Sequence, residues 1–192
     1  MIQLDSVELA YITKRMDRDQ GTKLHMEDMC QLLGRMTEDK YKSSHEQIAK
    51  EIKKSSANPG LDLVRFYEVT LFSFLTGNAD MHLKNFSLIR NARGDYELAP
   101  AYDLVSSALV VEGDEEELAL TISGKKRRLK KSDFYSAMKV SGIPDKTADN
   151  ILNKFSELKQ TWLAFIDQSF LSGSMKQEYK SLITSKFNQL FL

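Results

Sequence analysis

Residues 77–86 read Gly77-Asn78-Ala79-Asp80-Met81-His82-Leu83-Lys84-Asn85-Phe86, and residues 98–104 read Leu98-Ala99-Pro100-Ala101-Tyr102-Asp103-Leu104. Upstream, Leu61 to Thr76 is apolar almost all round in its second half, which predicts a central buried helix with Gly77 at its C-cap. Between the two stretches, Asn85 to Ile89 and Tyr96-Glu97-Leu98 flank Asn91-Ala92-Arg93-Gly94-Asp95, the pattern of a hairpin with a glycine-containing turn. A polar loop therefore joins a buried helix to a hairpin. Asp80 and Asn85 lie five residues apart in that loop, and a second acid, Asp103, follows the hairpin.

Phosphoryl transfer from a nucleotide uses such a set. One carboxylate receives the proton of the acceptor hydroxyl, while an amide oxygen and a second carboxylate hold Mg²⁺ on the phosphates. A strand pair between Asn85 and Asp103 would place those two side by side. Lys84 suits neutralisation of the transferring group, and His82 suits a bond to the Asp80 loop or to the nucleotide. Taken singly, each has a plainer reading: Asp80 as a cap after a helix, His82 as a structural hydrogen bonder, Asp103 as the cap of a turn.

Nearer the N-terminus, Val7 to Thr13 alternates like a strand, with Val7, Leu9 and Tyr11 on one side, and runs into the charged stretch Lys14-Arg15-Met16-Asp17-Arg18-Asp19. No second strand is evident in the first hundred residues apart from the hairpin, so this strand is expected to lack a partner within the chain. Met26 to Leu33 predicts a short helix. A polar stretch with Lys40, Tyr41, Ser43 and Ser44 precedes a charged helix from about Glu46 to Lys54, and Asn58-Pro59-Gly60 reads as a turn. After an acidic linker (Glu112, Asp114 to Glu117), Leu118 to Leu129 alternates about Ser123-Gly124 as a second small hairpin, and Ser132 is the expected N-cap of a helix starting Asp133-Phe134. Asp145 to Leu192 carries two or three amphipathic helices broken near Ser172-Gly173-Ser174. The methionines, Trp162, Leu163 and Phe165 read as core.

The 192 residues carry 42% hydrophobic residues, enough for the core of one domain over 1–192, and a 28% charged content that argues against disorder. Lys plus Arg equal Asp plus Glu at 27 each, so no whole-molecule field favours nucleic acid or membrane. The run Lys125-Lys126-Arg127-Arg128, with Lys130 and Lys131, could meet phosphate or DNA, but reads first as a solvated hairpin edge neutralised by the acids before it. A single cysteine, Cys30, excludes an internal disulfide and fits a reducing cytoplasm. No stretch approaches the roughly 18 apolar residues of a membrane span, and no leader pattern opens the chain, so a soluble, unexported protein is expected. His25, His45 and His82 lack helical metal spacing.

The combination D-x-H-x-K-N, hairpin, A-P-x-Y-D-L resembles the HipA family of bacterial serine/threonine kinases, the toxins of type II toxin-antitoxin modules. Lys14 to Arg18 resembles that family's hinge, His25 to Gln31 its following helix, and Leu118 to Leu129 its later hairpin. The resemblance implies a mainly α, α+β fold: a HipA/protein-kinase-like C-terminal lobe with small β-hairpins. It places Asp80 on the catalytic base, Asn85 and Asp103 on the magnesium ligands, and His82, Leu83, Lys84 and Tyr102 along the nucleotide. Lys14, Arg15 and Met16 fall on the adenine hinge, although Lys14 stands where an acid is usual and Met16 where an aromatic is common.

ATP and Mg²⁺ are thus the implied cofactors. The nine glycines are never closer than eleven residues, so no glycine-rich phosphate loop or Walker loop can form. The expectation is that the nucleotide-covering lobe lies outside this chain, with the Val7–Thr13 strand as its last remnant, and that a separately encoded N-lobe or a lost segment completes the site. The implied partners are that N-lobe, a HipB-like helix-turn-helix antitoxin, a protein substrate and, only through the antitoxin, DNA. A non-catalytic toxin-antitoxin interaction module is the alternative.

Overall fold

The long helix α3 (Pro59–Thr76) sits at the centre because both its ends and its faces are specified locally. Pro59 occupies the first turn, where its missing N–H costs nothing, so the Asn58-Pro59-Gly60 stretch starts the helix and is not a separate turn. Gly77 closes it at φ +72°, with Asn78 N–H donating to the Ser73 carbonyl at 2.8 Å. Phe66, Tyr67, Leu71, Phe74 and Leu75 on α3 are fully buried. Phe66 meets Tyr67 and Phe86 edge-on, each at 5.1 Å between centroids, and Phe74 meets Phe134 at 5.2 Å.

The computed structural model describes every residue except Met1, Leu4, Glu8, Glu112 and Asp114, and only the backbone of Ile2, Gln3 and Leu9. The expected strand over Val7 to Thr13 shrinks to β2 (Leu9–Ala10), and Glu8 lies outside the described residues. It is not without a partner: β1 (Ile2–Gln3) pairs with it antiparallel, Ile2 opposite Ala10. Tyr11 and Ile12 beyond it are exposed. A further hairpin, β3 (Arg18–Asp19) with β4 (Thr22–Lys23), corrects the expectation that this region is poor in strands.

The Met26–Leu33 segment also differs from its expected helix. Met26–Asp28 is strand β5, which adds to β6 (Ser87–Arg90) and β7 (Tyr96–Leu98) in a three-stranded antiparallel sheet of order β5-β6-β7. Helix α1 (Met29–Leu32) begins only after Asp28, whose carboxylate accepts from Gln31 N–H at 3.0 Å while the Gln31 side chain accepts from Asp28 N–H at 2.9 Å. The β6–β7 hairpin forms as its Gly94 turn predicts, with Leu88 opposite Leu98.

Helix α2 (His45–Ser55) packs on α3 through Ile48, Ala49 and Ile52. The Leu118–Leu129 segment makes only a tight turn, with one bridge between Ile122 and Lys125 around Ser123 (φ +48°) and Gly124 (φ +75°). Its upstream residues find another partner: Thr121 O accepts from His45 N–H at 2.9 Å. Helix α4 (Lys131–Val140) starts earlier than expected, since Lys130 occupies the N-cap and Asp133 accepts its N–H at 2.9 Å, leaving Ser132 inside the first turn.

The C-terminal part is three helices, α5 (Asp145–Ser156), α6 (Lys159–Asp167) and α7 (Gly173–Phe191), the last capped by Ser172. Trp162 is the wedge between them, edge-on to Phe72, Phe155 and Phe187. Phe165 and Met36 face solvent instead of the core. In the basic run, Lys125 pairs with Asp133, Lys126 with Glu116 and Arg127 with Glu115, at 2.7, 3.0 and 2.8 Å. Glu112 and Asp114 of the acidic linker lie outside the described residues. Among the described residues, no helix is long and apolar enough to cross a membrane.

Candidate active site

The loop after α3 is built by its own backbone. Beyond the Gly77 turn, Asn78 Oδ1 accepts from Asp80 N–H at 3.2 Å, and Asp80 O accepts from His82 N–H at 2.9 Å. Residues Leu83–Asn85 then make a single 3-10 turn that feeds β6. Ala79 N–H donates to Ser107 Oγ at 2.9 Å and Ala108 N–H to the Gly77 carbonyl at 3.0 Å, so the segment after Asp103 holds the loop from outside. Met81 and Leu83 anchor it in the core, while Asp80 projects to solvent.

Asn85 is the joint of the site. Its Oδ1 accepts from His82 N–H at 3.0 Å, and its Nδ2 donates to Asp103 Oδ2 at 2.6 Å. The first bond assigns the amide orientation, because the opposite one would set N–H against N–H. Asn85 is buried and Asp103 exposed. Asp103 adopts φ +55°, a left-handed conformation that Asp tolerates better than most residues, and that bend turns its carboxylate back toward Asn85. The hairpin thus brings the two residues together as the sequence predicts.

Tyr102 supports this from below. Its hydroxyl donates to the Lys84 carbonyl at 2.7 Å, which leaves Ser87 Oγ, 2.6 Å away, to donate to it. Burial, foremost, raises its phenol to about 12. Of the residues expected along the nucleotide, Leu83 is fully buried, Lys84 half-buried, and the polar end of Tyr102 is committed to the chain itself. His82 is largely buried, with Nδ1 lacking a hydrogen-bond partner, and burial followed by nearby Lys40 pushes its pKa down, which favours the neutral imidazole.

One functional candidate escaped sequence reasoning. Tyr41 donates its hydroxyl to Asp80 Oδ1 at 2.7 Å and meets the His82 ring edge-on at 5.1 Å. The hydrogen bond to Asp80, with burial second, raises the Tyr41 phenol to about 12. The two residues stand 39 apart in sequence, and no local pattern signals the pairing.

Lys14 and Arg15 lie outside regular structure and are exposed, and Met16 opens the turn that leads into β3. Arg15 grips Asp17 through two bonds of 2.8 and 2.6 Å, and that guanidinium, with Arg18 beside it, holds Asp17 well below the usual carboxylate range. Among the described residues, no hydrogen bond or ion pair joins this segment to the Asp80 loop.

Among the described residues, no group of three or more His, Cys, Asp or Glu side chains converges. Asn85 and Asp103 offer hard oxygens only: the second lone pair of Asn85 Oδ1 and the carboxylate of Asp103. That set fits Mg²⁺, which keeps waters and takes phosphate oxygens alongside one or two protein ligands, and fits a thiophilic metal poorly. A groove of 510 Å³ on another face of the 98–104 segment, lined by Arg65, Phe72, Leu98, Leu104 and Phe155 among others, includes none of Asp80, Asn85 and Asp103.

A family description, the HipA-like C-terminal domain, matches residues 1–162. The chain belongs to the HipA-like C-terminal domain family. Among its relatives are two proteins of Sinorhizobium fredii named "Putative kinase Y4dM" and "Putative kinase Y4mE", 38% identical over 119 residues and 37% over 89. A "Putative kinase" of Haemophilus influenzae is 37% identical over 110 residues. These alignments cover 62%, 44% and 52% of this chain but 28%, 21% and 31% of the relatives, so the chain spans about a third or less of their length. The same fold occurs in a solved chain of the Shewanella oneidensis toxin-antitoxin complex of HipA, HipB and operator DNA, with TM-score 0.76 and 21% identity, covering 92% of this chain and 47% of that one. The HipA-like fold is therefore mainly helical with small antiparallel sheets, as expected from the sequence.

Proposed function

We propose that this HipA-like domain is the catalytic lobe of a kinase that transfers the γ-phosphate of ATP to a serine or threonine of a protein. The observation that carries the reading is the 2.6 Å bond between Asn85 and Asp103, which sets an amide and a carboxylate side by side next to the loop that presents Asp80. A purely structural loop has no need of an exposed acid beside such a pair.

In this reading, Asp80 accepts the hydroxyl proton of the acceptor as the new oxygen–phosphorus bond forms and the bond from the γ-phosphorus to the β,γ-bridging oxygen breaks, releasing ADP. Asn85 and Asp103 would hold Mg²⁺, and ATP with its metal, when bound, supplies the phosphoryl group and the neutralisation of its charge. Lys84 would add positive charge near the phosphates, and the His82 backbone N–H, bonded to Asn85 Oδ1 at 3.0 Å, keeps the loop between Asp80 and Asn85 in register. Both Asp80 and Asp103 are exposed, so a second lobe must cover the nucleotide and keep water out. We assign that role to a separately encoded N-lobe or to a further part of the same protein, with Lys14 to Met16 as the hinge between them. A HipB-like antitoxin, itself bound to DNA, is the regulatory partner we propose, in a reducing cytoplasm.

The test compares the chain with and without a nucleotide-covering lobe. Calorimetry with Mg-ATP is expected to give weak binding to the chain alone and tight binding to the completed pair. Asp80→Asn in that pair is expected to lower phosphoryl transfer by roughly 10²-fold or more while leaving assembly intact. Unchanged transfer in Asp80→Asn would refute the assignment and favour the non-catalytic interaction module.

A further inference from the structure

From the geometry around Asp80, we infer that Tyr41 is the positioning residue of the proposed base, holding its carboxylate through Oδ1 so that Oδ2 faces the acceptor hydroxyl. The inference rests on the kinase reading of Asp80. Asp80 is exposed, and among the described residues no other side chain bonds its carboxylate. A carboxylate on a loop turns about its terminal torsion with little preference, so an unheld base spends most of its time misdirected. Tyr41 Oη–H removes that freedom at 2.7 Å.

Tyr41 is exposed, but the backbone on either side of it and one edge of its ring are held. The Leu83 N–H donates to the Lys40 carbonyl at 3.1 Å, stitching the 37–42 segment to the loop. Arg35 grips the Lys42 carbonyl and reaches Gln47 at 3.2 Å, while Lys42 pairs with Asp39 at 2.8 Å. The Lys40 ammonium lies 4.9 Å from the centre of the Tyr41 ring, and the His82 ring meets its edge. That cation is attracted to the ring face, which helps to hold the ring in place. The hydroxyl bonds the Asp80 carboxylate and neither Asn85 nor Asp103, which separates its role from theirs.

The experiment is a double-mutant cycle in the chain completed by its nucleotide-covering lobe, with kcat and KM for ATP as readouts. Tyr41→Phe keeps the ring and its contact with His82. It is expected to lower kcat roughly tenfold to a hundredfold, the loss typical when a functional group loses the partner that orients it, with KM for ATP unchanged. Because Tyr41 acts through Asp80, Tyr41→Phe should cost nothing further in an Asp80→Asn background. If Asp80→Asn itself retains full activity, the kinase reading fails on its own account. If Asp80→Asn abolishes transfer but Tyr41→Phe leaves kcat intact, or the two losses multiply, the positioning role is overturned. A phosphate found on Tyr41 by mass spectrometry also overturns it, since the phenol would then be an acceptor. An arm without activity uses the chain alone: ¹³C NMR of labelled tyrosine should show Tyr41 ionising at lower pH in Asp80→Asn than in wild type, where it is raised to about 12. An unmoved titration would refute the contact.

Discussion

Asp62→Ala tests how the site is tied to the central helix. Asp62 sits in the first turn of α3 and is fully buried. Its Oδ2 accepts from Leu98 N–H at 2.8 Å and from Ser56 Oγ at 2.6 Å, joining the end of α2, the start of α3 and strand β7, which leads to Asp103. Its Oδ1 has only Arg65, at 3.7 Å. Alanine strands the buried Leu98 N–H, at about 1–3 kcal/mol, and frees the half-buried Ser56 hydroxyl to turn to water at about 1 kcal/mol or less. It also removes an acid from a helix N-terminus, a further ~0.5 kcal/mol. Relief from burying a carboxylate with one poorly paired oxygen offsets part of this, leaving a net loss of about 2 kcal/mol. For a domain of this size that is about 4–8 °C in melting temperature. Asp62→Asn keeps an acceptor oxygen and should lose less than half as much. Hydrogen exchange gives the local readout: the Leu98 amide should exchange roughly 30-fold faster in Asp62→Ala, the equivalent of ~2 kcal/mol. A melting temperature within 1 °C of wild type together with unchanged Leu98 exchange would refute the claim that this carboxylate clamps the hairpin.

Two further outcomes are expected from the folded chain. Gly77→Ala should lower stability by about 2–3 kcal/mol in a denaturant melt, because φ is +72° and the added Cβ would stand 2.8 Å from Leu182 Cδ2 and 3.2 Å from Ala108 Cβ; a loss below ~1 kcal/mol would count against that packing. His45 is buried, with Nδ1 3.1 Å from the Thr121 carbonyl, and burial, its largest influence, holds its pKa down to about 4. Below about pH 6.5 the unfolded chain takes up a proton that the native chain refuses until about pH 4, so acidification across that window should remove ~3 kcal/mol of stability. His45→Gln should flatten that slope relative to wild type, whatever its effect at pH 8, and equal slopes would disprove the assignment.

What the sequence discloses follows from how local each signal is. Helix α3 is legible because its apolar run and the Gly77 stop are contiguous, and the β6–β7 hairpin because Gly94 marks its turn. The Asn85–Asp103 pairing follows from that hairpin, since two residues flanking a strand pair must approach each other. Strands of two or three residues have no periodicity to read, so β1, β3, β4 and β5 exist only through their partners. Met26 to Asp28 fits a helix as well as a strand until β6 is beside it. Ser132 and Lys130 compete as caps, and Asp133, three residues beyond Lys130, decides between them by bonding its N–H. The clamp of Asp62 on β7 and the bond of Tyr41 to Asp80 carry no local signal: one is a buried acid on an apolar helix, the other a tyrosine in a polar stretch, and Leu98 and Asp80 lie 36 and 39 residues away from them.

The distribution of burial across the site bears on how a kinase built on it would work. Asn85, Leu83 and His82 are buried and hydrogen-bonded or packed into the core, so the frame that spaces the reactive groups is as rigid as the domain itself. Asp80 and Asp103 are exposed on that frame, and among the described residues a single side chain bonds each carboxylate, Tyr41 that of Asp80 and Asn85 that of Asp103. Geometry is therefore set in advance, whereas the low-dielectric surroundings that make fixed charges effective are not. A covering lobe then has little to do in arranging catalytic side chains. Its contribution is to deliver the nucleotide and exclude water, which makes lobe closure the step at which such an enzyme is most economically switched on or off.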